Sequence, residues 1–531
     1  MSVDQTGEHE IVYERPNLIT RRETVIFAVI ALVIAFIITF GVVGAPGYTD
    51  VYYHFNAAKR LATGLGLSDT YLWTYIGAPD RLPAPSHLYW MPLTSILAAI
   101  SMAITGSATY AAAQIPLAIL FAGTAMLAFR IGWRIMHHRR GAWLSGLITL
   151  FSGFFTRYWG AVDTFAPYAF IGALCLYAFG SALMTRKARS VWMIAGGLAA
   201  LAHLTRADGL LLIGMGVLLG VWRMIERRRA LHRRIVYMIL MVLTYLMVMS
   251  PWFLRNQFEI GTPLPIGGTQ AIWFSQYDDL FNFPPDANPS DLGINGFIES
   301  RREALVNNIG TFVAVEGMIA MTPFMLIGLW RRRRDPFLRP FWVYALLLHI
   351  AMTFVFPYPG YRGGLLHSAA ALIPFWAVLG VAGIDDSVKW IAARRRRWQP
   401  ETAKRVFSFS LLGLAILLSV QIGLAGRVAP RESIPTPYLE LSQYIPAGSR
   451  VMINDPAALY YFTGIGGVVI PNEDPTTLLE VANQYQVSYL VLEVGGIPAG
   501  IAPVLESPPD FLISIPLDIP NVRLYAITIT P

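Results

Sequence analysis

The feature that most limits what this chain can fold into is a succession of apolar runs. Several are close to the ~20 residues that cross a bilayer as a helix. Thr24–Val43, Phe165–Met184, Ile235–Phe253, Ser368–Ile384 and Val406–Leu424 are examples. Short clusters of arginine and lysine separate them. Only 14% of the residues are charged and 55% are hydrophobic, whereas a soluble chain carries about 25% charged residues. The composition therefore specifies a polytopic α-helical membrane protein. The net charge of +8 is not a nucleic-acid footprint, because the basic residues sit between apolar runs, where they set orientation. The one cysteine, Cys175, excludes an intrachain disulfide and reads as a small packed side chain. Thr24–Val43 is long for a signal-peptide core. Its A-x-A-like site, Val43-Gly44-Ala45, is followed by Pro46, so it reads as a retained helix.

Sidedness follows from the clusters. Arg134 to Arg140, Arg186 to Arg189, Arg227–Arg234, Arg331–Arg334 and Arg394–Arg397 all fall on one side if Met91–Thr105 is a re-entrant or surface helix. The positive-inside rule then favours about eleven spans with a cytoplasmic N-terminal segment, residues 1–23. The expected spans are Thr24–Val43, Thr109–Ile131, Gly141–Phe155, Phe165–Met184, Val191–Leu204, Gly209–Met224, Ile235–Phe253, Ile309–Trp330, Phe337–Phe356, Ser368–Ile384 and Val406–Leu424. Residues 24–426 form the transmembrane domain, with outer loops at 44–106 and 255–308. Residues 427–531 read as a small extracytoplasmic α/β domain, with strands at Arg450–Asn454 and Val487–Leu492 and a helix at Pro475–Tyr485.

This topology gathers the unusual polar residues on the outer face. They are Asp50, His54, Lys59, Arg60 and His87 in the first loop, Arg157 and Asp163 after the third span, Arg206 and Asp208 after the fifth, Arg255 after the seventh, and Arg362 and His367 after the ninth. Ionisable groups at the ends of apolar helices are costly unless paired or functional. Two separated acids among several arginines suggest an anionic ligand and an acid that acts on it. Asp50 and His54 are four residues apart and share a face if helical. The bland readings are N-capping for Asp50 and Asp163, an interface hydrogen bond for His54, headgroup contacts for Lys59 and Arg60, and pairing with Asp208 for Arg206. No P-loop, H-E-x-x-H or dinucleotide fingerprint competes.

The order of these pieces resembles the GT-C superfamily of membrane glycosyltransferases, near the protein O-mannosyltransferase and aminoarabinose-transferase branch. The residues that carry the likeness are Tyr48-Thr49-Asp50-Val51-Tyr52-Tyr53 after the first helix, His87 to Leu93, Arg157 to Asp163, Leu204-Thr205-Arg206-Ala207-Asp208-Gly209 and Pro251-Trp252-Phe253-Leu254-Arg255-Asn256. The resemblance covers roughly residues 20–385. It implies transfer of a sugar from a polyprenyl-phosphate donor to a protein, lipid or cell-envelope glycan on the outer face, with inversion expected as polyprenyl phosphate departs. It implies Asp50 as general base, with Asp163 and His54 beside it. Arg157, Arg206, Arg255, Arg362, His367, Lys59 and His87 are the implied substrate contacts. Many relatives carry adjacent acids in the first loop, whereas Asp50 stands beside Val51. A divalent cation on Asp50 and Asp163, with His54 as a third ligand, stays open. The alternatives are a ligase or polymerase using a polyprenyl-diphosphate donor, a scaffold whose outer domain binds a partner, and a transporter. A transporter would show an internal repeat, interrupted helices and mid-membrane charges, none of which the sequence displays.

Overall fold

A computed structural model describes residues 19–528 apart from 186–187, 227–230, 266, 273, 275–276, 286–292, 396–397 and 430–434. Most of the N-terminal segment and parts of three expected basic clusters lie outside the described residues. The first half runs α1 (Arg21–Val42), α2 (Thr49–Ala62), α3 (Leu93–Thr105), α4 (Tyr110–Met136), α5 (Arg139–Leu150), α6 (Phe165–Met184), α7 (Arg189–Thr205), α8 (Leu210–Glu226) and α9 (Leu231–Ile260). The second half runs α10 (Gly267–Gln270), α11 (Gly293–Gly310), α12 (Thr322–Arg332), α13 (Arg339–Ile350), α14 (Pro357–Pro359), α15 (Leu365–Ala369), α16 (Ile373–Ala392) and α17 (Pro400–Ala425). Beyond them lie α18 (Thr436–Tyr444), α19 (Pro456–Thr463) and α20 (Thr477–Tyr485).

Among the described residues, seven helical stretches are long and apolar enough to cross a membrane. The other expected spans fall on shorter elements: α5, α7, α12, and α13 with its continuation to Val355. α3 is also short and apolar. α1 starts where a reciprocal cap forms, the Thr20 hydroxyl accepting from the Glu23 amide and the Glu23 carboxylate accepting from the Thr20 amide. This satisfies two of the orphan donors of the first turn.

Ion pairs fasten one end of the bundle. Arg140 makes a two-pronged contact with Asp385, both at 2.6 Å. Arg332 reaches Asp386 at 2.6 Å and Arg339 reaches Glu226 at 2.7 Å. These pairs put the ends of α5, α8, α12, α13 and α16 on one arginine-rich face. Between the faces, helices approach through small residues, as membrane bundles do. A Cβ on Gly328 of α12 or Gly383 of α16 would run into a backbone carbonyl of the other helix.

Two expectations are corrected. Residues 255–308 are not one long polar loop: α9 continues to Ile260, and α11 begins at Gly293. The eighth span is also interrupted. A π-helical stretch, Thr311–Glu316, ends at a break in which Met318 and Ile319 have φ of 45° and 59°, and α12 resumes at Thr322. Glu316 is fully buried there. It accepts from the indole N–H of Trp376 at 2.7 Å and contacts His349 Nε2 at 3.0 Å. An interrupted helix and a buried carboxylate inside the bundle are thus both present, so their expected absence no longer counts against a transporter.

The C-terminal residues form the α/β layer. β4 (Val451–Met452), β5 (Gly467–Val468), β6 (Tyr489–Glu493), β7 (Leu512–Ile515) and β8 (Val522–Ile527) join β2 (Tyr71–Leu72) in a six-stranded sheet, in the order β2-β5-β4-β6-β8-β7. Its edge strand β2 (Tyr71–Leu72) comes from the first outer loop and pairs in parallel with Gly467 and Val468. β1 (Ser68–Asp69) and β3 (Ala84–Pro85) form a separate pair in that loop. The loop and the C-terminal residues share this sheet and its core, which includes Leu72, Tyr75, Val468, Val481 and Leu490.

Candidate active site

α2 carries the first acid. It packs between α3 and α19 of the C-terminal layer, with Val51 to Ala58 buried. The C-terminal layer holds its outer side. Thr49 donates to Asp455 at 2.9 Å, Asn56 to the Ala457 carbonyl at 2.9 Å, and Arg60 to the Tyr460 hydroxyl at 3.1 Å. The second acid, Asp163, sits just before α6. The loop bearing it is fixed by Gln114 of α4, which donates to the carbonyls of Val43 and Gly160, both at 2.6 Å. Gly160 presses on α1 so closely that a Cβ would lie 2.6 Å from Thr39 Cα.

The two loops meet α15 at one place. His367 Nε2 is 3.1 Å from Asp163 Oδ2 and 3.9 Å from Asp50 Oδ2. Tyr48 donates to Asp163 Oδ2 at 2.6 Å, and Asp163 Oδ1 accepts from the Thr164 amide at 2.5 Å. Phe165 stacks on the His367 ring at a centroid distance of 4.0 Å. Asp163 is 1% exposed and His367 13%, while Asp50 keeps 30% of its side chain open. Asp163 and His367 are thus locked, and Asp50 stays partly open to solvent.

Environment separates the two acids. Burial, then the charge of Asp163, raises Asp50 above the ordinary carboxylate range to about 7, against the opposing charges of His367 and Arg206. Burial also works against the charge of Asp163, but His367, by its charge and its hydrogen bond, together with His54 and Tyr48, outweighs it and holds Asp163 below that range. Two nearby carboxyls pushed apart in this way are suited to different roles.

Among the described residues, Asp50, Asp163 and His367 form a group able to hold a metal ion, their ligand atoms lying within 4.8 Å of one another. The donor set suits a divalent first-row metal. The ring orientation fits too. His367 Nδ1 lies 2.9 Å from the Gly363 carbonyl, which can only accept, so Nδ1 donates there and Nε2 is the nitrogen turned toward the acids, where it would face an ion in place of Asp163 Oδ2.

The other expected residues divide. His54 does not join this group: its Nδ1 contacts Ser95 Oγ at 3.0 Å and its ring is sealed. Ser95 also contacts His87 Nε2 at 3.0 Å, and His87 Nδ1 contacts Ser86 at 2.8 Å. Burial lowers the His54 pKa to about 4 and that of His87 well below its usual value. Arg206 is held by Asp208 at 3.0 Å, Ser368 at 2.9 Å and Thr164 at 3.3 Å, which is the pairing reading extended to a clamp on α6 and α15. Arg255 donates to the Leu67 carbonyl at 3.1 Å and lies over Trp252. Lys59, Arg157 and Arg362 are exposed. Arg157 lies over the Tyr158 ring, which stacks on Phe165.

Sequence reasoning missed Tyr48, Phe165 and Ser368. Tyr48 lies in the stretch after the first helix that carries the resemblance, without a role of its own, and Phe165 marks only the start of a span. It also missed Glu316, whose signal was present: a lone carboxylate inside an apolar run.

No protein-family model and no curated protein matches the sequence. Solved structures do match. One is the archaeal oligosaccharyltransferase AglB from Archaeoglobus fulgidus in complex with an inhibitory peptide and a dolichol-phosphate. Its TM-score is 0.60 at 12% identity, over 89% of this chain and 69% of that one. A second structure of the oligosaccharyltransferase from that organism, in complex with Zn and sulfate, has a TM-score of 0.57 at 13% identity, over 88% and 68% of the two chains. ArnT from Cupriavidus metallidurans bound to undecaprenyl phosphate has a TM-score of 0.58 at 13% identity, over 94% of this chain and 97% of that one.

Proposed function

We propose, for a chain with the GT-C fold of polytopic membrane glycosyltransferases, that it transfers a sugar from a polyprenyl-phosphate donor to an acceptor on its outer face, with Asp50 as general base. The observation that carries the reading is the convergence of Asp50, Asp163 and His367 from three separate elements, with Asp50 alone left open. Its support from solved structures is that AglB and ArnT were determined with dolichol-phosphate and undecaprenyl phosphate.

In this reading the acceptor heteroatom attacks the anomeric carbon. Its proton passes to Asp50 as the new bond forms, and the bond from that carbon to the phosphate oxygen breaks, releasing polyprenyl phosphate with inversion. A base near the working pH is efficient in such a step. Asp163, held charged by His367 and Tyr48, stabilises positive charge developing on the sugar. Arg157 and Arg362, exposed on the same face, are the candidates for the phosphate oxygens, which a guanidinium binds in two places. A divalent cation, if bound, would be held by Asp50, Asp163 and His367. It would supply charge stabilisation for the acceptor or the departing phosphate.

The test is Asp50→Asn in membranes supplied with labelled polyprenyl-phosphate sugars. Loss of transfer with normal folding supports the assignment, and transfer near the wild-type rate removes it.

A further inference from the structure

The bundle carries a second candidate site, away from the two acids. Between α12 and α13, with α11 and α16 behind, runs a groove of about 1020 Å³. That is at the upper end of the ~300–1,000 Å³ typical of ligand cavities. Its walls are apolar: Phe312, Leu326, Ile327, Ala345 and Leu346 among others. Leu326, Ile327, Leu346, Ile350 and Phe354 are exposed, so within a span the groove opens toward lipid.

Three features give it polarity along its length. Arg331 and Arg333 line one end, on the face fixed by the Arg332–Asp386 and Arg339–Glu226 pairs. Arg333 lies over the exposed ring of Trp330, an interfacial arrangement. Trp342, also in the lining, follows Arg339 by three residues, about 4.5 Å of helix rise. Its indole N–H is buried and has no hydrogen-bond partner among the described residues. A buried donor without an acceptor is costly, and this one lies about one helical turn from Arg339. Further along, near the His349–Glu316 pair, the lining carries no free charge.

We infer that this groove binds an anionic glycerophospholipid from the leaflet on the arginine-rich face. Its phosphate lies at Arg331 and Arg333, its glycerol ester reaches Trp342, and an acyl chain runs along Leu326 and Leu346. The positive-inside rule makes that leaflet the cytoplasmic one. Two cationic side chains on an otherwise apolar groove select headgroup charge, and each basic residue near a membrane surface contributes about 1 kcal/mol toward anionic lipid. This site is independent of the transfer chemistry.

The experiment uses the full-length protein in phosphatidylcholine nanodiscs doped with a photoactivatable phosphatidylglycerol, a photoactivatable phosphatidylcholine or a photoactivatable undecaprenyl phosphate. Labelled peptides are then mapped. The phosphatidylglycerol probe is expected to label α12 and α13 several-fold more than the phosphatidylcholine probe. R331Q/R333Q should reduce that labelling at least about fivefold, the effect of 1 kcal/mol or more. Leu346→Trp, which fills the groove and leaves the arginines in place, should also reduce it. Equal labelling by both phospholipids, labelling unchanged in the variants, or labelling by undecaprenyl phosphate alone would overturn the proposal.

Discussion

α2 presents two ionisable residues, four positions apart, to two different worlds. Asp50 meets Asp163 and His367 across a gap of up to 4.8 Å and keeps 30% of its side chain open. His54 meets Ser95, which also holds His87, in a network with almost no exposed surface. That network continues through Tyr53, whose hydroxyl donates to Asp69 at 2.8 Å and accepts from the His87 amide at 2.6 Å. The residue types are those of catalytic sites in both places. What separates them is access: the second network is sealed, with His54 Nε2 and Asp69 Oδ1 left without hydrogen-bond partners among the described residues inside it, whereas Asp50 is partly open. The second network pins the first outer loop. The first leaves the Asp50 carboxyl partly open to solvent, which is the access that the proposed transfer needs.

The comparison is broken most severely at Asp163. Asp163→Asn keeps the shape but removes the charge that His367 and Tyr48 hold in place. The expected result is a loss of transfer of about 100-fold or more per folded molecule, with a lowered thermal midpoint, because a carboxylate whose pKa folding depresses stabilises the fold. A midpoint collapse with full specific activity in the folded fraction would make Asp163 structural. On the other side, Ser95→Ala strips a partner from both His54 and His87. A cost of about 1–3 kcal/mol in stability is expected, with near-normal transfer per folded molecule, measured by thermal denaturation beside a transfer assay.

The pH dependence sharpens the contrast. Asp50, raised to about 7, must be ionised to act, so transfer should rise with pH through about 7 and fall on the acid side. A flat profile between pH 5 and 8 would argue against it as the base. Asp69 is raised by burial, also to about 7, but there the consequence is stability. The folded state holds a proton that the unfolded chain, with an ordinary carboxylate near ~3.9, has released. Stability from this group is therefore lost as pH rises from about 4 through 7. Asp69→Asn should flatten that fall, giving a thermal midpoint a few degrees above wild type at pH 8 and close to it at pH 5. The smallest effect is expected at Lys59, which is exposed. Lys59→Ala should leave transfer near wild type and stability within about 0.5 kcal/mol.

Much of this contrast was legible in the sequence. Apolar run lengths and arginine clusters gave the helical membrane class, and sidedness alone put Asp50, Asp163 and His367 on one face. What the sequence could not show is which neighbours each group has already satisfied. Asp50 and His54 look alike along a helix face, and only the fold turns one toward Ser95. The sharing of a sheet between Tyr71–Leu72 and the C-terminal strands was invisible, because two-residue strands carry no periodicity. The break after Glu316 was hidden for a related reason. A single carboxylate in an apolar run marks a special position, but its partners His349 and Trp376 lie on other helices.

The most direct test of the account compares wild type with Asp50→Asn in one transfer assay. Purified membranes receive labelled polyprenyl-phosphate sugars, an acceptor fraction and either EDTA or a divalent cation, with thermal denaturation run on the same samples. The account predicts transfer by wild type, a loss of at least about 100-fold in Asp50→Asn, and matching thermal midpoints. Asp50→Asn that transfers at the wild-type rate would contradict the account, because the open carboxyl on α2 would then not be the reacting group.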